Sequence, residues 1–470
     1  MDLLPGSIPR AAEPRLFFED PLGFLARARA GLGDIFVLRD GGPIFSRRPE
    51  CAGAIAVFGP ACHRAVLSDI ALFGMPVSAA QNLSLPRKLV NLNHGLHSMR
   101  GDRHALHQRA LMRVLSERGV EAHRGAIHAS LETFARSWQV GQRIGLLGEM
   151  RRLALRVSTR LLFGHQYEGR SQLASLLNSY FQLRREAASP SNPADETVRA
   201  ELIALGTSLD GALRRYVRWC RRQSRAAPGG ILATLANLEL QPGVRPSEDE
   251  LVAHANVLFV SSNEPIAVAL TWTLLILSQL PELRRALRLE LAQATPASAV
   301  TTAGAPAPLP LLGAVINESL RALTPNALMV RVTTRPALLG GMKLPERCEI
   351  ILCPFLAHRD AKSFPRPDEF LPSRWDTIKP SPFEYFPFGA GGHSCVGRML
   401  ATYMIKEALA SLIPRYELVL AEDQEVDWRI HIIFMPRNEP AMKVCAPDAP
   451  TPRAGKLLGP VGELLTLNRT

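Results

Sequence analysis

Aromatic side chains are scarce in this chain, at 6% of 470 residues, so aliphatic groups must do most of the packing. The seven cysteines (51, 62, 220, 348, 353, 395 and 445) are scattered, odd in number and without a C-x-x-C. That argues against a disulfide framework and a structural zinc site, and fits a reducing compartment. The opening stretch MDLLPGSIPRAAEPRLFF has no apolar run near the about 20 residues that span a bilayer, and no signal-peptide pattern. The expectation is a soluble, cytoplasmic protein with no membrane anchor. Dense basic runs with interleaved aromatics are also missing. The net charge of +12 therefore points away from nucleic acid, towards an acidic protein partner or a diffuse arginine surface.

What is present centres on Phe386 to Arg398, FPFGAGGHSCVGR. Cys395 stands there among Gly389, Gly391, Gly392 and Gly397, just ahead of the apolar run MLATYMIKEALASLI. Glycines at this density let a backbone pass close to something flat. A helix starting after Cys395 would aim free N–H groups and its positive end at the sulfur, favouring thiolate. A thiolate so placed can ligate a metal. On haem iron it pushes electron density towards O–O cleavage. The plainer alternative is a buried cysteine before a helix.

Ser247 to Gln279 reads as a long helix with no polar face over most of its length, hence buried. Asn263, Glu264 and Pro265 interrupt it. Proline deletes the bond to the Ser261 carbonyl and is predicted to kink the helix, at about 3 kcal/mol. A buried Glu264 needs a partner or water. LLGAVINESLRALTP places Glu318 and Arg321 one turn apart, and PRPDEFLPSRW supplies Arg374. Strands are predicted at Asp34 to Leu38 and Cys51 to Phe58, with Arg331 to Thr334 and Cys348 to Cys353 in a second sheet. Trp428 to Phe434 and Ala441 to Val444 read as a hairpin around Met435 to Pro440. Gly74 to Arg100, 187–196 and 292–310 read as loops.

Phe388-Gly389-x-Gly391-x-His393-x-Cys395-x-Gly397 resembles the haem-thiolate signature of the cytochrome P-450 superfamily. Glu-Pro in a long helix, ExxR, PxxFxPxRW and the cysteine loop follow in the family's order. The resemblance covers roughly 15–446, leaving 1–14 as an unstructured lead-in and 447–470 as an extension that is disordered or docks through LLTL. It implies a mainly α fold with a smaller β part, in a single domain over 15–446, and haem b with Cys395 as axial ligand. Phe388, Gly389, Gly391, His393 and Gly397 would surround the haem, and His104, Arg109 and Arg331 would contact it. The family usually has arginine four residues after the position of His104, where this chain has Gln108. Glu318, Arg321 and Arg374 would hold the thiolate loop. Ser261, Ser262, Glu264 and Pro265 would form the distal site, where the usual threonine is replaced by Pro265.

By the same resemblance, Met75, Val77, Leu83, Val257, Ala327, Leu328, Val330, Ile433 and Phe434 would line the substrate pocket. The implied activity is a monooxygenase or oxidase using dioxygen on a lipophilic small molecule of terpenoid, polyketide or fatty-acyl class. Electrons would come from a ferredoxin- or flavodoxin-type donor, with the basic surface around Arg398 and Lys406 as its docking face. Because the threonine is missing, a peroxide-using enzyme, or one that rearranges, couples or dehydrates its substrate, stays open. So does a non-catalytic haem sensor.

Overall fold

The computed structural model describes residues 4–46, 50–76, 85–187, 196–223, 229–294, 309–430, 433–447 and 455–467. Val77 and Leu83 lie outside them. The long helix spans Glu248–Ser278. Its start is fixed by a capping box: Ser247 accepts from the Glu250 N–H, and the Glu250 carboxylate accepts from the Ser247 N–H. Glu248, Asp249 and Glu250 face the positive end of the helix dipole. From Ile266 to Ser278 every residue is buried, including Trp272 at 0% exposure. Length and composition alone would let this helix cross a membrane, but most of it is packed inside the fold. It lies against the helix Leu146–Phe163, and the helices Arg170–Ala187, Glu196–Arg222, Pro310–Ala322 and Arg398–Leu412 also pack on it.

The β part is one five-stranded sheet and several small ones. Ile35–Asp40 pairs antiparallel with Gly53–Val57, which runs parallel to Cys348–Leu352. Met329–Thr333 is antiparallel to Cys348–Leu352, and the short strand Phe73–Gly74 closes the far edge. The late strands therefore join the early ones, rather than forming a second sheet. Alternation within each strand reveals its faces but not which strand it will sit beside. The expected hairpin also divides differently. Trp428–Ile430 pairs with Phe434–Pro436, while Ala441–Cys445 lies between Glu417–Leu420 and Arg143–Gly145.

Both chain ends pack more than expected. Leu4 and Ile8 are buried beside the sheet, and Arg10 bridges to Val37, so these residues are not an unstructured lead-in. Near the other end, Leu457–Leu458 pairs with Gln424–Glu425, and Val461 and Leu465 are buried. Thr466 donates its N–H to the Asp368 carbonyl (2.8 Å), and its own carbonyl accepts from the Phe370 N–H (3.3 Å). The LLTL segment does dock.

Candidate active site

The loop before the helix Arg398–Leu412 is folded back on itself. The Cys395 N–H donates to the Phe388 carbonyl (2.8 Å) and the Gly389 N–H to that of Phe386 (2.9 Å). Gly389 and Gly391 take φ of +69° and +66°, the left-handed region that glycine enters without strain. A Cβ on Gly391 would lie 1.9 Å from the Leu67 carbonyl oxygen, and one on Gly392 2.7 Å from Ile70. Residues 67–70 of the chain itself crowd these two glycines. Gly397 is different, since its Cβ would face the Cys395 sulfur at 3.9 Å.

Of the seven cysteines, Cys395 alone is exposed. It is surrounded by protein but opens onto a recess. Burial pushes its thiol pKa up, against the opposing pull of the Gly397 N–H and Arg398. Desolvation there opposes the pull of the helix start. A bound cation would reverse the balance.

Behind the loop, Glu318 and Arg321 are fully buried and Arg374 nearly so. Arg321 grips Glu318 through two parallel N–H···O bonds of 2.9 Å, and Arg374 adds a third at 3.0 Å. The Leu371 N–H (2.8 Å) and the Trp375 indole (3.1 Å) complete the carboxylate's shell. The free guanidinium edges hold backbone: Arg321 binds the carbonyls of His358, Pro367 and Glu369, and Arg374 those of Pro365, Arg366 and Glu369. His358 then accepts the Phe386 N–H at 3.0 Å, at the root of the cysteine loop. Charge buried at the triad thus becomes position at Cys395.

One wall of the recess is basic. Arg331 is 3% exposed, spends one N–H on the Val330 carbonyl (2.8 Å), and keeps a buried Nε without a hydrogen bond. Among the described residues no carboxylate pairs with it, and burial pulls its pKa down to about 10. His104 and His393 meet edge to face with centroids 4.7 Å apart. Burial, then Arg331, His104 and His97, hold His393 at about 3. His97, on the turn Leu96–Ser98, is likewise held down by burial, Arg331 and His104. Gln108, one turn beyond His104 on the helix Gly101–Val114, donates to the Gly392 carbonyl at 2.7 Å. Arg109 is exposed and a further 100° around that helix, so the expected contact is corrected: the face meeting the loop carries His104 and Gln108. His97 and Gln108 were not legible as site residues, because neither belongs to a motif.

The long helix forms another wall. Ser261 is exposed in the middle of this largely buried helix, and Ser262 is half-buried with its hydroxyl on the Phe259 carbonyl (3.1 Å). The helix runs through Pro265 without a break. Glu264 is buried and paired with Arg151 of the helix Leu146–Phe163, whose Nε lies 3.1 Å from both carboxylate oxygens. Arg151, distant in sequence, carried no signal of this. Towards the helix start, Glu250 binds His107 (2.9 Å), and His107 binds His254 (2.9 Å), in a buried row.

The expected pocket residues divide. Val257 is half-buried against Gly95, Val330 and Ile433 are half-buried, and Leu328 is nearly closed off at 8% exposure. Met75 lines a separate cavity of about 140 Å³ with Arg100 and Val332. Ala327 and Phe434 are fully buried and are corrected to core residues. Phe434 packs among Trp272, Phe355 and Trp428, all within 5.5 Å between centroids, and its carbonyl accepts from the Trp272 indole. The actual hairpin puts it on a strand instead of at the tip.

These residues suit a haem. The open sulfur of Cys395 can take an iron, and the unpaired Arg331 guanidinium can take a propionate. The cytochrome P450 family profile matches residues 39–444. The chain is 26% identical to cyclooctatin synthase of Streptomyces melanosporofaciens, over 88% of this chain and 89% of that protein. It is 25% identical to cyclooctat-9-en-7-ol 5-monooxygenase of the same organism, over 88% of each. The cytochrome P450DA heme domain superposes with a TM-score of 0.78 at 19% identity, covering 95% of this chain and 98% of that one. Profile, full-length relatives and fold agree: the chain belongs to the cytochrome P450 family, a cytochrome P450 oxidoreductase that carries haem on a cysteine thiolate.

Proposed function

We propose that the chain is a monooxygenase acting on a lipophilic small molecule, with Cys395 as the axial thiolate and Arg331 and His104 on the haem propionates. The observation that carries this is one exposed cysteine in a loop whose His393 feels the charge of Arg331, a buried arginine that meets no carboxylate among the described residues. The haem supplies the binding and reductive activation of dioxygen. The protein's part is to hold, orient and protonate. The triad of Glu318, Arg321 and Arg374 fixes the loop that presents the sulfur. Glu264, held by Arg151, is the acid of the distal helix, and Ser261 and Ser262 are the hydroxyls near the position usually held by threonine.

The relative named a cyclooctat-9-en-7-ol monooxygenase supports a cyclic, largely hydrocarbon substrate of terpenoid character, as do Val257, Leu328 and Val330. Turnover with NADPH, generic redox partners and labelled dioxygen tests the reading: label in the product supports it, and its absence contradicts it. Pro265 favours a second reading, in which peroxide or a rearrangement replaces dioxygen insertion. Product formed with peroxide alone, and none with the redox partners, would select that one. The electron donor is an acidic ferredoxin or flavodoxin docking near Arg398, in a cytoplasmic setting. A turnover rate with such a donor that is independent of ionic strength would rule out charge-guided docking.

A further inference from the structure

Burial lowers the pKa of five arginines among the described residues: Arg184, Arg284, Arg331, Arg359 and Arg374. Three face a carboxylate: Glu417 lies 2.5 Å from Arg284, Asp368 4.0 Å from Arg359, and Glu318 3.0 Å from Arg374. Among the described residues, Arg331 and Arg184 do not. A haem propionate accounts for Arg331, which leaves Arg184.

Arg184 belongs to the helix Arg170–Ala187 and donates to the side-chain oxygen of Asn93. That oxygen also accepts from Asn256 of the long helix (3.2 Å), while the Asn93 amide donates to the Leu89 carbonyl (2.8 Å) and the Tyr180 hydroxyl (3.2 Å). The guanidinium is thus fixed where the 93–95 turn, the helix Arg170–Ala187 and the long helix meet. A shared neutral amide oxygen can orient a half-buried cation but cannot neutralise it, and a charge drawn away from water without a counter-charge is costly. Beside Asn256 is Val257, packed on Gly95, and one turn further along the same face is the exposed Ser261. From Asn256 to Ser261 the helix rises about 7.5 Å.

We propose that Arg184 anchors the carboxylate of an amphiphilic substrate whose apolar body lies along Val257 towards Ser261. A carboxylate offers the guanidinium a full counter-charge and two acceptors in matching geometry, which an ester or alcohol of the same skeleton does not. This narrows the substrate class of the site above and rests on that reading of the recess.

The test uses the haem-loaded protein and two sets of carboxylic acids, cyclic terpenoid acids and straight-chain acids from octanoic to stearic, each with its methyl ester and primary alcohol. Affinity is read from the ligand-induced spin-state shift. Wild type is expected to bind the best acid about 10- to 100-fold more tightly than its ester. Arg184→Leu should abolish that preference, and Arg184→Lys should keep part of it. Ligand-free Arg184→Leu should melt no lower than wild type, because the half-buried charge it removes meets no carboxylate among the described residues. Equal affinity of wild type for acid and ester, a preference that survives Arg184→Leu, or a lowered melting temperature with the preference intact would each overturn the anchor. The carbon monoxide spectrum of the same samples separates the two levels. An intact thiolate band with no acid preference sinks the anchor alone, whereas a missing band sinks the reading beneath it.

Discussion

Glu318 accepts five hydrogen bonds, two from Arg321 and one each from Arg374, Leu371 and Trp375, inside the core, and Glu318→Gln would leave two guanidinium groups facing a neutral amide. The expected loss is about 3–5 kcal/mol in chemical denaturation, with weaker haem retention because His358 and the loop root shift. Histidines make a second prediction at this scale. Burial, then His107, hold His254 at about 3, below its ordinary 6.5. Unfolded His254 therefore binds a proton between pH 6.5 and about 3 while the folded one does not, so stability falls as pH falls through that window. The slope approaches about 1.4 kcal/mol per pH unit, and His254→Asn should flatten it in denaturation curves taken across pH. Cys395 and the triad were legible in the sequence because each lies in a short motif with a fixed order. Gln108, Arg151 and His97 were not, because their roles depend on partners far away in the chain.

The long helix tolerates Pro265 although proline removes the donor for the Ser261 carbonyl. Pro265→Thr restores that N–H and adds a hydroxyl at the position where relatives of this fold are expected to carry one. Stability should rise by up to about 3 kcal/mol in urea melts. If threonine is what the distal site lacks, the share of reducing equivalents recovered as product should rise with it; an unchanged share would mean that Ser261, Ser262 or water already does that work. The helix itself was legible from its apolar length and its Ser247–Glu250 start. The sheet was legible only strand by strand. Nothing in the alternation of Met329–Thr333 or Cys348–Leu352 says that they join Phe73–Gly74 and Gly53–Val57, early in the chain, and the hairpin was displaced because Ala441–Cys445 pairs with Arg143–Gly145 instead.

Across the whole molecule, the C-terminal segment closes on the elements that hold the site. Thr466 is bonded to Asp368 and Phe370, on either side of Glu369, whose carbonyl binds both Arg321 (3.1 Å) and Arg374 (3.0 Å). Ending the chain at Ala446 removes the buried Val461 and Leu465, each worth about 1.5–3 kcal/mol. The truncated protein should melt lower and release haem faster to an apo-globin acceptor. Unchanged haem release would mean that the segment packs on the fold without supporting the loop. The expectations for haem retention and turnover depend on sulfur from Cys395 being bonded to haem iron as the anion. The most direct measurement is the absorption spectrum of the reduced, carbon-monoxide-treated protein. Wild type should give the red-shifted Soret band of thiolate ligation and Cys395→Ser should lose it; a wild type without that band, or a serine variant that keeps it, would contradict the account.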